Sequence, residues 1–229
     1  MLRLPSAVSS LLPLVVASLL SASPAPAQSR VVDEGTFVFV KGGAPVRTEN
    51  FRITRTEAAI TATSAVTAGT QHITTLLATD TLGTPAQFEL HVKDKGARVV
   101  DLKAMARSGR LTSLASSQTG DESMREYPLT PGKSVVLEPG LAHLLYFAVL
   151  GKSPGPVHVI EPRSTRTLNG TLSAKGLEPL EIAGKSVTGT HYTLAIGPTR
   201  YEFWVDAKGR LLRVDAGDGL TATRDDLPR

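Results

Sequence analysis

The stretch Gly151-Lys152-Ser153-Pro154-Gly155 spells G-x-S-x-G, the spacing of a serine nucleophile raised on a sharp turn. Such a serine relies on the backbone N–H of the following residue to hold an oxyanion. Here that residue is Pro154, which has none. A strand before the turn and a helix after it are also lacking, so the segment reads as a turn. Gly-Lys-Ser occurs at Gly132, Gly151 and Gly184, but a phosphate-binding loop needs a glycine five residues earlier. Those positions hold Tyr127, Tyr146 and Pro179. Glu202 and Asp206 share a strand face with Trp204 between them, and two carboxylates beside an aromatic ring are the parts of a glycoside hydrolase. Asp206 nevertheless sits where a turn favours aspartate, with Arg210 as a ready partner, so the pair reads as structural.

The five histidines are His72, His91, His143, His158 and His191, and no two have the H-x-x-x-H spacing of a helical metal site. Asp94 and Glu161 follow His91 and His158 by three residues, which on a strand puts the side chains on opposite faces. Exposed or hydrogen-bonded histidines are expected, with no metal and no cofactor. There is no cysteine, which removes disulfides, thiol catalysis and thiolate metal ligands together. Asn169-Gly170-Thr171 fits a glycosylation sequon and is read as a turn inside a hairpin.

The chain opens with Arg3, an apolar stretch from Leu11 to Leu20, and an A-x-A site at Ala25 and Ala27. That pattern is a cleavable secretory leader, with the mature protein starting at Gln28 in the periplasm or outside the cell. A membrane span needs about 20 apolar residues. This stretch is about half that and carries Pro13, so the mature form is not expected to span a membrane. Without the leader, 24 basic residues face 21 acidic ones, and the longest basic cluster, Arg163 to Arg166, is interrupted. A nucleic-acid surface would gather basic residues on one face, so no nucleic-acid partner is expected. The expected organisation is a leader over residues 1–27, a flexible mature N-terminus over 28–34, one β-rich domain over 35–224 and a tail over 225–229.

Short extended runs separated by Gly, Pro and Asp turns fill the mature chain. Strands are expected at Thr36–Lys41, Val46–Thr54, Ala59–Thr67, His72–Thr79, Ala86–Lys93, Ala97–Ala104 and Arg110–Ser116. Further strands are expected at Ser134–Glu138, Val157–Glu161, Thr165–Ser173, Leu180–Ile182, Val187–Ile196, Arg200–Asp206, Arg210–Asp215 and Leu220–Thr223. The polar segment Ser117 to Lys133 reads as a long loop. Phe88 to Gly96 and Tyr201 to Gly209 match in pattern, and both read as hairpins. In the second, a turn with Gly209 in the left-handed region sets Asp206 against Arg210, Val205 against Leu211 and Trp204 against Leu212. Both faces of that hairpin are then apolar, which predicts cover on both sides. Phe37-Val38-Phe39-Val40 reads the same way, whereas Phe88, Leu90 and Val92 alternate with polar residues. From Pro139 to Leu150 an apolar run ending at Gly151 predicts a short helix, buried nearly all round.

The run Tyr201 to Leu212, with Val187–Ile196 before it and Leu220–Thr223 after it, resembles the ending of uncharacterised exported bacterial β-proteins. That group is distantly similar to lipoprotein-localisation factors, and the resemblance implies a curved antiparallel sheet wrapped around helix, with an apolar cavity. The expected fold is therefore mainly β: a curved antiparallel sheet or half-barrel with one short buried helix over about 139–150. The expected function is non-catalytic binding of an apolar ligand or lipid-like group on the concave side. Candidate lining residues are Phe37, Phe39, Tyr146, Phe147, Tyr192, Tyr201, Phe203 and Trp204. The alternative is an accessory or scaffold protein that binds another envelope protein through a sheet edge or surface patch. A large dry cavity points to the first, and an exposed apolar patch on a filled core points to the second.

Overall fold

The structure, a computed structural model, describes residues 28–151 and 153–228. The expected leader lies outside the described residues. Alternation of apolar and polar residues sets one face of each strand inward. In β5 (Pro85–Asp94), Phe88, Leu90 and Val92 are buried while Glu89, His91 and Lys93 face outward. The strands before it are β1 (Arg30–Lys41), β2 (Ala44–Arg55), β3 (Ile60–Ala68) and β4 (Gln71–Thr79). After it come β6 (Ala97–Arg107), β7 (Arg110–Ser117) and β8 (Glu122–Pro128). The second half holds β9 (Ser134–Val136), β10 (Gly155–Glu161), β11 (Arg166–Ile182), β12 (Lys185–Ile196), β13 (Thr199–Val205), β14 (Leu211–Asp215) and β15 (Leu220–Arg224).

Among the described residues fifteen strands form one curved sheet in the order β8-β7-β6-β5-β4-β3-β2-β1-β15-β14-β13-β12-β11-β10-β9. Two meanders are joined where β1 meets β15, with Phe37 opposite Arg224 and Phe39 opposite Ala222. Every pairing is antiparallel except β9 with β10. Turn glycines allow the tight reversals: Lys95 and Gly96 both adopt positive φ (49° and 83°) between β5 and β6, as a two-residue hairpin loop requires. No helix among the described residues is long and apolar enough to cross a membrane.

The segment after β9 runs through the interior as a plug. A 3₁₀ turn over Ala142–Leu145 leads directly into α1 (Tyr146–Val149), and every residue from Leu141 to Ala148 is buried. The helical part is shorter than the expected 139–150, because Gly140 (φ 85°) turns the chain before it and Leu150 ends it in an extended conformation. Phe147, Leu144, Phe37, Phe88 and Phe203 belong to one continuous core beneath both halves of the sheet.

Four local expectations are corrected. Glu122–Pro128 is a strand where a loop was expected, since a strand exposed on both sides carries no apolar alternation. Strand β1 starts at Arg30, within the segment expected to be flexible, and Asp33 there is buried against Arg224. The sequon residue Asn169 lies inside β11 opposite His158 rather than in a turn. In the β13–β14 hairpin, Asp206 and Gly209 (φ 78°) form the expected turn and Val205 faces Leu211, but Trp204 faces Arg213. Leu212 is an extra, bulged residue that resets the register after the first pair.

Candidate functional site

The interior carries an acid–imidazole–hydroxyl chain that no sequence motif announced. Glu49 of β2 faces inward and holds the plug twice: its Oε2 accepts the Ala142 N–H at 2.8 Å, and its Oε1 lies 2.5 Å from His143 Nδ1. His143 Nε2 is 3.5 Å from Thr75 Oγ1, which is 2.8 Å from Ser64 Oγ. In order this is carboxylate, histidine, hydroxyl. As a nucleophile relay it fails on two counts: the imidazole–hydroxyl contact is long for general-base work, and Glu49 and His143 are completely buried. Its work is structural: it satisfies the N–H of Ala142 at the start of the helical turn and ties the plug to three strands.

Seven of the eight expected lining residues face this interior. Phe37 stacks on Phe51 at 5.1 Å, Tyr146 meets Phe147 edge-on at 5.3 Å, and Tyr192 stacks on Phe203 at 5.8 Å. Phe39 lies under the Arg47 guanidinium at 4.1 Å, and Tyr201 packs partly buried at the core margin. Side chains fill the space between them. Phe39 and Tyr201 border an apolar notch of about 20 Å³ between the plug and β13–β15, room for about one water molecule. Two buried carboxyls lie near the core margin. Burial raises the affinity of Glu138 and Asp33 for protons above the ordinary carboxylate value, opposed by Arg163 and Arg224 respectively.

Trp204 is the exception. Phe203 and Val205 point inward, so Trp204 stands on the outer face, half-buried, stacked on His191 at 4.5 Å with Arg213 on its ring at 5.4 Å. Cover on that face is polar, which corrects the expected apolar cover. Glu178 bridges the two rings, accepting from Trp204 Nε1 at 3.0 Å and contacting His191 Nδ1 at 2.9 Å. Those hydrogen bonds hold the Glu178 carboxyl below its ordinary value. Glu202 pairs with Arg200, and Asp206 accepts from the Lys208 and Arg210 amides at 2.8 Å each, so the two carboxylates serve the hairpin. Every histidine has a polar neighbour: His72 with Thr67, His91 with Asp101, His158 with Ser134, besides His143 and His191. Ser153 lies exposed between Gly151 and β10, with no strand before it.

The two ends of the sheet differ. β9 is wholly buried, while β8 has β7 on one side and, among the described residues, no strand on the other. Tyr127 faces inward and its hydroxyl reaches Pro162 O at 3.5 Å across the seam; the other six β8 residues are exposed. On the outer face Met124 (67% exposed) lies directly opposite Leu114 of β7 (48%), with Met105 of β6 (56%) nearby on the same face. On the inner face of the same strands a cleft of about 270 Å³ opens between Val100, Leu102, Ala115, Ser123 and Arg163. The site missed by sequence reasoning is therefore this edge. Its available signal was the Ser-Met-Arg-Glu-Tyr run within an otherwise polar stretch.

No family model matches the chain, and no curated protein matches it in sequence. In fold it is similar to the crystal structure of a β-barrel-like protein of the domain of unknown function DUF1849 from Brucella abortus. The TM-score is 0.54 at 12% identity, over 84% of this chain and 94% of that one. A DUF1089 family protein from Pseudomonas aeruginosa aligns over 90% of this chain and 97% of that one, with a TM-score of 0.44 and 10% identity. The first likeness shows a β-barrel-like fold; neither neighbour links the chain to the lipoprotein-localisation factors.

Proposed function

We propose that the protein is a non-catalytic binding protein of the bacterial envelope, exported through its leader, that accepts an extended segment of another envelope protein along β8. The observation that carries this reading is the free edge of β8 beside exposed Met124, Leu114 and Met105, on a core that is already filled. An unpaired edge supplies a row of backbone donors and acceptors, and side chains at alternate positions select the sequence that pairs with it.

The charges on β8 define the partner. Its outward residues are Glu122, Met124 and Glu126, with Arg125 on the other face between the last two. A second copy pairing antiparallel about a two-fold axis at Met124 would set Glu122 against Glu126, and an axis at Arg125 would set Arg125 against itself. Like charges directly opposed destabilise a strand pair. The complement is a segment with basic, apolar and basic residues at alternate positions and an acidic residue facing Arg125. The test is a synthetic peptide of that pattern against the mature protein, read by fluorescence anisotropy and by hydrogen exchange of the β8 amides. Saturable binding that protects Glu122 to Tyr127, and weakens about tenfold or more in Met124→Lys, is expected. Equal binding of a peptide with acidic residues in place of the basic ones would refute the assignment. N-terminal sequencing of the exported protein tests the other half of the proposal: it should begin at Gln28.

A second reading, an apolar ligand on the concave side, has one observation in its favour. The notch beside Phe39 and Tyr201 is apolar and lies at the margin of the core, where a chain end could enter as the lining side chains move apart.

A further inference from the structure

Arg47 of β2 faces inward at the same margin. Its guanidinium carbon lies over the Phe39 ring, 4.1 Å from the centroid, and the group stands against Gly140; both of these residues border the apolar notch. A Cβ on Gly140 would stand 2.5 Å from Nη1, and the residue holds φ at 85°, so this close approach requires glycine. Nε and Nη2, which together form the edge of a guanidinium that grips a carboxylate with two parallel hydrogen bonds, are both out of solvent and have no hydrogen-bond partner among the described residues. The nearest acid on its own strand, Glu49, is occupied by His143 and the Ala142 amide. Asp218 is paired with Lys41, and Glu138 with Arg163. Burial accordingly weakens the hold of the Arg47 guanidinium on its proton.

We infer that Arg47 and the adjoining notch form a site for an amphipathic carboxylate, the anionic head on the Nε–Nη2 edge and the apolar chain entering between Phe39, Tyr201 and Leu220. A desolvated guanidinium edge without a partner is costly, and a carboxylate supplies the two acceptors that it lacks. The inference rests on the second reading above and adds to it the chemistry of the head group.

Isothermal titration calorimetry of the mature protein with decanoate, decanol and acetate separates the possibilities. Decanoate is expected to bind saturably, with decanol and acetate each at least tenfold weaker. Arg47→Met, which keeps an apolar stem on Phe39, should weaken decanoate at least tenfold and leave decanol unchanged. Arg47→Lys, which keeps the charge without the fork, should fall between and decides the matter if the methionine variant does not fold. If decanol matches decanoate, and the Arg47 variants bind both as the wild type does, the role of Arg47 is overturned while the apolar-ligand reading stands. Acetate binding as tightly as decanoate would overturn the amphipathic assignment. Absence of binding by both long-chain probes would overturn this inference and the second reading together.

Discussion

Replacing Glu49 tests whether the buried polar chain holds the plug in place. Glu49→Leu removes the acceptor of the Ala142 N–H at 2.8 Å and strands His143 in a completely buried site. Breaking a buried, hydrogen-bonded pair by removing one partner costs about 3–5 kcal/mol. For a domain of this size that lowers Tm by roughly 6–20 °C, at about 2–4 °C per kcal/mol. His143→Leu should cost a similar amount by orphaning Glu49. The double variant is the informative one. It leaves the Ala142 N–H as the main unsatisfied group, worth about 1–3 kcal/mol, so its loss should be smaller than either single loss and far below their sum. Urea unfolding followed by far-UV circular dichroism and by Trp204 emission gives all four corners of the cycle. Glu49→Gln, which retains an acceptor oxygen, is the milder corner if Glu49→Leu does not fold. Additive losses across the cycle would mean that Glu49 and His143 do not act on each other, and the latch would be refuted.

Two other expectations follow from single residues. Trp204, half-buried and bonded to Glu178, should emit between the wavelengths of core and fully exposed indoles and be partly quenched by acrylamide. Glu178→Ala should red-shift that emission, and a strongly blue-shifted, unquenched Trp204 would contradict the outer-face placement. Glu138 is buried, and burial gives its carboxyl more affinity for protons when folded than when unfolded. The folded chain then binds more protons, so this residue's contribution to stability falls as pH rises from about 4 through its raised value. Glu138→Gln should flatten that part of the stability profile, with Asp33 leaving a residual slope of the same sign; an unchanged slope would show that Arg163 neutralises the burial effect.

Much of the sheet was legible because it depends on local pattern. Alternation in Phe88-Glu89-Leu90-His91-Val92 fixed which face was buried, and glycines in turns marked most strand ends. The all-round apolar run at Leu141 to Leu150 announced a buried helix, and it sits at the centre of the core. Three features were not legible, each for a physical reason. The register at Trp204 turns on one bulged residue, Leu212, and a one-residue shift exchanges the faces of a strand. Pairing of Glu49 with His143 joins residues 94 positions apart, which no local spacing encodes. Strand β8 is exposed on both faces apart from Tyr127, so its side chains carry no alternating burial pattern to read.

The character of β8 is the strongest reason to treat the open end as functional. A sheet edge that must only avoid association is short and carries charges, proline or a bulge. Glu122, Arg125, Glu126 and Pro128 meet that description. Were avoidance the whole purpose, the middle of the edge should be the most polar part. Instead Met124 stands beside the central Arg125, with Leu114 directly across and both side chains largely exposed. Apolar surface of this kind gains stability only when something covers it, at roughly 25 cal/mol per Å². Nothing among the described residues supplies that cover: the other sheet end, β9, is buried with the plug, and α1 packs on the core. In the registers centred on Met124 and on Arg125 the flanking charges oppose a second copy, and the proposed partner is a chain of the opposite pattern. That combination distinguishes an edge shielded from all partners from one that admits a chosen one.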